Sequence, residues 1–128
     1  MREILFRGKR IDNGEWVFGH FYESKGNGKN VHRIYNGNIF RHDTVCPETV
    51  GQYTGLTDKN GEKIFEGDIV NGLFLFERPI KAVVTFQDGA FGLRWPRGSV
   101  IEFSAFTSLC NVEYEVIGNI HDNPELLN

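Results

Sequence analysis

The chain has 128 residues, 40% hydrophobic and 24% charged, with a formal net charge of -3, which excludes a disordered chain, a collagen and a coiled coil. Leu, Ile, Val and Phe together supply 39 residues, enough for one core without disulfides or metals. No apolar run approaches the roughly 18 residues that a membrane span needs, and the first residues, Met1-Arg2-Glu3, lead into no secretory signal, so a cytoplasmic protein is expected.

Three alanines stand against 26 β-branched residues and 17 aromatics, a composition of strand formers. The dipeptides Asn13-Gly14, Asn36-Gly37, Asn60-Gly61, Asn71-Gly72 and Asp88-Gly89 suit tight hairpin turns. A meander of hairpins follows.

In chain order, residues 2–9 read as a strand turned by Asp12-Asn13-Gly14 into a second strand over 15–23, with Trp16, Phe18, His20 and Tyr22 on one face. Residues 24–30 are polar and read as a mobile loop. Residues 31–35 and 38–41 form a second hairpin, and 43–48 are irregular around Cys46-Pro47. Beyond them, Val50, Gln52 and Thr54 alternate with Gly51 and Tyr53, and 57–63 make an exposed polar turn. Gly67-Asp68 then suits a sharp bend. Leu73-Phe74-Leu75-Phe76 is apolar on both faces, as in a central strand or a contact between copies, and it motivates a homo-oligomer. Residues 80–86 and 91–95 flank Asp88-Gly89 as a third hairpin, 100–103 form a strand, 104–109 one helical turn, and 113–117 an edge or half-exposed strand. Asn123 as N-cap with Pro124 at the first position opens a short terminal helix docked by Leu126 and Leu127.

Charge is uneven along the chain. Residues 1–42 carry 8 Lys and Arg against 4 Asp and Glu, whereas 43–128 carry 6 against 13. A basic first third suits an acidic partner such as nucleic acid, with Arg7, Lys9, Arg10 and Trp16 as the residues that would meet it. The overall pI near 5.8 disfavours that reading, since DNA-binding domains typically lie above about 9.

No constellation for catalysis emerges. Gly28-Lys29 lacks the flanking residues of a phosphate loop. Asp58-x-Asn60-x-Glu62 resembles the start of a calcium loop but has Lys63 where Gly is needed and Ile69 where Glu is needed. His42-x3-Cys46 offers two ligands where zinc wants three or four, and as a thiol and base it lacks an orienting group. Cys46 and Cys110 read as small buried hydrophobes. The carboxylate pairs Glu66/Asp68 and Glu113/Glu115 suit a wet strand face as well as they suit catalysis. No cofactor or metal is expected. Arg94-Trp95-Pro96-Arg97, an indole between guanidinium groups beside a turn, is the best candidate for recognition, because Trp and Arg dominate binding energy at interfaces.

Three blocks resemble one family. They are 2–19 (Arg2-Glu3-Ile4-Leu5-Phe6-Arg7-Gly8-Lys9 through Gly14-Glu15-Trp16-Val17-Phe18-Gly19), 48–70 (Glu48-Thr49-Val50-Gly51-Gln52-Tyr53-Thr54-Gly55 through Phe65-Glu66-Gly67-Asp68-Ile69-Val70) and 114–127 (Tyr114-Glu115-Val116-Ile117-Gly118-Asn119-Ile120-His121-Asp122-Asn123-Pro124 onward). In this order they are similar to YopX-like proteins. The resemblance implies a phage- or prophage-encoded protein, mostly β, with an SH3-like barrel or roll over 48–128, an N-terminal β-hairpin subdomain over 1–47 and a short C-terminal helical turn. It implies no activity for named residues. Together with the residues themselves, it leads to the expectation of a non-enzymatic binding module that engages a host or phage protein, with a nucleic-acid accessory protein as the alternative and an enzyme last.

Overall fold

The computed structural model describes residues 3–37, 41–73, 79–106 and 113–127. Most of this backbone is antiparallel β. The strands are β1 (Phe6–Lys9), β2 (Trp16–Gly26), β3 (Lys29–Tyr35), β4 (His42–Thr44), β5 (Gly51–Thr57), β6 (Lys63–Phe65), β7 (Asp68–Leu73), β8 (Pro79–Gln87), β9 (Ala90–Arg97), β10 (Val100–Ala105) and β11 (Tyr114–Asn119). Short 3-10 turns lie at Pro47–Thr49 and Pro124–Leu127. The chain divides into two compact units, Met1–Tyr53 and Thr54–Asn128. The division falls inside β5, whereas the sequence suggests one at 47/48. Among the described residues no helix is long and apolar enough to cross a membrane.

In the first unit the strand order is β4-β3-β2-β1-β5. The outer side of β4 returns to the end of β1, through an Arg10–Val45 bridge and the bonds from Ile11 N to the Thr44 carbonyl (3.1 Å) and from Cys46 N to the Lys9 carbonyl (2.9 Å). Ile34 and Val45 are fully buried there. The expected mobile loop at 24–30 is instead the tip of the longest hairpin. β2 runs on to Gly26, opposite Lys29 of β3, and Asn27-Gly28 turns the chain with φ of 54° and 77°. Two consecutive positive φ angles are what a type I′ turn requires, and Asn-Gly is its preferred dipeptide. Conversely, Asn71-Gly72 is no turn. Both residues lie inside β7, where Gly72 pairs with Ile80 on one side and Tyr114 on the other.

The second unit is a five-stranded sheet in the order β10-β9-β8-β7-β11, with β5 and β6 preceding it. One face carries the core of Ile64, Val70, Ala82, Val84 and Leu93, against which Ile80, Trp95, Phe106, Tyr114 and Val116 pack. Each fully buried aliphatic chain of this kind contributes about 1.5–3 kcal/mol. Across the opposite face runs a row set by the register, Ile69, Val83, Arg94 and Phe103. The described strands do not close into a barrel, because β10 and β11 end the sheet on its two sides.

The middle and C-terminal blocks explain themselves as backbone devices. The Asp58 carboxylate accepts the N–H groups of Asn60 and Glu62 on Oδ1 and of Val116 on Oδ2, at 2.9, 2.9 and 3.0 Å. Asp68 accepts Phe65 N at 2.8 Å. Gly67, at φ 89°, donates to the Val84 carbonyl and accepts from Ile120 N. Asn119 Oδ1 accepts the N–H groups of His121 and Asp122. A Cβ on Gly118 would lie 2.6 Å from Asn123 Oδ1, so only glycine lets that side chain close the loop.

Three expectations change. The turn at Pro124–Leu127 opens after Asn123 as expected, with the Asn123 carbonyl accepting Leu126 N, but the Asn123 Oδ1 accepts Asn119 N at 3.2 Å instead of a group of that turn. Ser104 and Ala105 belong to β10 rather than to a helical turn. Glu66 and Asp68 do not share a strand, since β7 begins at Asp68, which is buried. The expected contact segment at Phe74, Leu75 and Phe76, the strand over 38–40, the end of the helical turn at 107–109 and Cys110 lie outside the described residues.

Candidate functional site

Alternation along β9 sends Leu93 and Trp95 towards the core face and Arg94 and Pro96 to the other. The Asp88-Gly89 hairpin fixes which backbone groups face which neighbour. Gln87 and Ala90 close it as a hydrogen-bonded pair, so Gly92, Arg94 and Pro96 turn their backbone groups towards β8. Pro96 would be the next donor, opposite Lys81, and proline has none. The β8–β9 ladder accordingly ends at Val83 and Arg94, while β9 continues with β10 through Pro96–Ile101 and Arg97–Val100.

Where that ladder stops, a cleft of about 330 Å³ opens. Its walls are Lys81 and Val83, then Arg94, Trp95 and Pro96, then Ile101, with Leu126 and Leu127 of the C-terminal 3-10 turn on the remaining side. Ile101 is 61% exposed and Leu127 43%. Two cations and unburied aliphatic groups thus meet in one concavity, which Trp95 borders while its indole packs on the core face. Of the residues singled out by sequence, Arg94 and Trp95 both line it. The backbone of Arg97 lies in β9, and its side chain lies outside the described residues. Lys81, Ile101 and the two leucines were not foreseen as site residues. The proline after Trp95 was the available signal.

The basic N-terminal residues sit differently. Arg7 is buried, with its guanidinium 4.6 Å from the Trp16 ring centre, and Lys9 Nζ lies 5.5 Å from the same ring. Arg10 bonds Asp12 at 2.7 Å and lies 3.7 Å from Asp43, which also takes Arg41 at 3.4 Å. The Arg10 hydrogen bond holds the Asp12 carboxyl below its ordinary pKa. The +4 balance of residues 1–42 therefore stops one residue short of the aspartate that answers two of its arginines.

Beside these groups a polar pocket of about 360 Å³ is lined by Arg10, Ile11, Asp12, His42, Asp43 and Thr44. His42 shares a 2.6 Å hydrogen bond through Nδ1 with the Tyr22 hydroxyl and stacks on Tyr35 at 4.7 Å. Cys46 is half-buried, and no group of three metal-ligating side chains occurs among the described residues. The calcium-like turn commits both Asp58 oxygens to backbone N–H groups. Burial acts to raise the Asp58 pKa, but the bonds from Val116, Glu62 and Asn60 outweigh it and hold the carboxyl below its ordinary value.

The family model described as YopX protein matches residues 5–128. The chain belongs to the YopX family. Among solved structures, this YopX chain is similar over 100% of both chains to protein EF1440 from Enterococcus faecalis, at 27% identity and a TM-score of 0.55. No curated protein shows significant similarity to it. Within the YopX match, the middle and C-terminal blocks coincide with the Asp58, Gly67-Asp68 and Asn119 devices.

Proposed function

We propose that this YopX-family chain is a phage- or prophage-encoded, non-enzymatic binding module that engages a bacterial or phage protein through the cleft beside Trp95. The observation that carries the reading is the cleft's composition: Lys81 and Arg94 beside exposed Ile101 and Leu127, bordered by a Trp whose side chain is anchored on the core. Aromatic and arginine side chains set in a pocket with an apolar rim are the residues that concentrate interface energy. The two cations favour a segment combining apolar and acidic side chains. The residues of the middle and C-terminal family blocks support a non-catalytic role, because the Asp58 carboxylate, Asp68 Oδ2 and Asn119 Oδ1 accept backbone N–H groups.

The test is capture from a bacterial host lysate with the wild-type chain, with Arg94→Glu and with Leu127→Glu, each with and without nuclease and at two salt concentrations. A protein that survives nuclease and is lost with both variants supports the reading. Capture unchanged by both variants overturns it, as does recovery of nucleic acid alone, lost on nuclease treatment and in raised salt.

A further inference from the structure

The two sides of the five-stranded sheet end differently. On the β11 side, Val116 N bonds the Asp58 carboxylate and the Tyr114 carbonyl accepts Lys59 N at 2.9 Å, so the loop after β5 occupies two of the outward groups. On the β10 side, no described strand pairs beyond β10. Its sequence, Val100-Ile101-Glu102-Phe103-Ser104-Ala105, has no Pro, no Lys and no bulge, and of the usual protections of an edge it carries one charge, Glu102, opposite Trp95. Val100 and Ile101 are 57% and 61% exposed.

The tight Gly98-Ser99 turn makes Arg97 and Val100 a hydrogen-bonded pair, so Val100, Glu102 and Ser104 turn their backbone groups to β9. Ile101, Phe103 and Ala105 then present theirs outward. We propose that β10 pairs antiparallel with β10 of a second copy across a two-fold axis at Phe103, joining the two five-stranded sheets edge to edge.

The strand itself selects that register. A two-fold axis perpendicular to the sheet keeps each side chain on its own face, so the axis must pass through a residue, not between two. Centred on Phe103, the pairing sets Ile101 opposite Ala105 of the second copy and Phe103 opposite itself, and all three outward residues of each strand gain partners. Glu102 then faces a serine hydroxyl, Ser104, on the other chain. Centred on Glu102, only two outward residues per strand would pair and two carboxylates would meet directly, which is unfavourable. Centred on Ser104, again only two would pair. The strand is thus complementary to itself in one register, which identifies a second copy as the occupant.

Sedimentation equilibrium up to about 1 mM measures the association, and two variants locate it. Ile101→Pro deletes an outward N–H and leaves the β9 ladder intact, so a folded variant by circular dichroism should dimerise at least tenfold more weakly. The double variant Ile101→Cys, Ala105→Cys should form a disulfide between position 101 of one copy and 105 of the other, because opposed hydrogen-bonded residues lie about 5.5 Å apart at Cα; peptide mapping reads the linkage without depending on the proline variant. A wild-type chain that stays monomeric throughout, a dimer indifferent to Ile101→Pro, or inter-copy linkage at other positions would overturn the proposal. Leu127→Glu, which disables the Trp95 cleft, should leave dimerisation unchanged, so this inference stands or falls apart from the binding reading.

Discussion

Of the two edges of the second unit's sheet, β11 is partly dressed, while β10 has no partner among the described strands. The cover over β11 is built from a turn: Asp58 folds 58–62 around its own carboxylate and uses the remaining oxygen on a strand residue 58 positions away. The buried carboxylate gathers two N–H groups of its own turn and one of the edge, and it offers no template for further pairing. At β10 the backbone groups of Ile101, Phe103 and Ala105 remain directed outward, and the side chains of those three residues are apolar. The contrast teaches that the protection of one edge is local chemistry, encoded in a few residues, while the other is left available.

The sharpest way to break the bare side is Gly92→Ala. A Cβ there would collide with the Ser104 carbonyl oxygen and lie 2.7 Å from Ala105 Cα, so β10 must move away from β9. We expect a loss of about 3 kcal/mol in denaturant unfolding, with the amides that join β10 to β9 the first to exchange with deuterium by NMR.

On the dressed side, Asp58→Asn keeps an acceptor for the turn but turns an amide donor towards a strand N–H, costing about 2 kcal/mol. Because the folded Asp58 pKa lies below its ordinary value, the carboxylate's contribution is fully present above about pH 4, the unfolded value. It is lost as pH falls through the folded value. Wild type should therefore lose stability on acidification below about pH 4 more steeply than Asp58→Asn. Parallel slopes would show that the carboxylate is not what dresses β11.

Smaller effects refine the contrast. Lys59→Ala removes a 3.5 Å ion pair with Glu115 between half-exposed side chains but leaves the Lys59 N–H on the Tyr114 carbonyl. It should change stability by no more than about 0.5 kcal/mol. Ile101→Lys, at the exposed edge, should shift the thermal midpoint least of all, by the equivalent of under about 0.5 kcal/mol, at a concentration low enough to keep the chain monomeric. A large loss there would mean that Ile101 is held by its own chain.

Much of the hairpin order is legible because its turn dipeptides sit between apolar alternations, as Asp88-Gly89 does between Phe86 and Phe91. The same dipeptide rule fails where flanking residues decide. Asn27-Gly28 lies among Ser24, Lys25, Lys29 and Asn30, so a two-residue hairpin reads as a loose loop. Asn71-Gly72 follows Ile69-Val70 and is held in a strand by partners on both sides. Trp95 and Arg94 are legible as a pair, but their cleft is not, because its other walls come from Lys81, Ile101 and the C-terminal leucines, brought together by register and by a proline that ends a ladder. Asp58 looks like an incomplete metal ligand, and only the distant Val116 N–H shows what its second oxygen does. The charge asymmetry misleads for a simpler reason, that Asp43 lies just beyond the basic stretch and pairs with Arg10 and Arg41.

Pro96 has one more effect. Beyond Arg94 the β9–β10 hairpin keeps its own internal ladder but none to β8, so the tip from Arg97 to Val100 is a cantilever with its root at Arg94. Lys81 and Val83 stand on the fixed side and Ile101 on the arm, which makes the width of the gap between them the softest coordinate of the sheet, one that a tight occupant would stiffen.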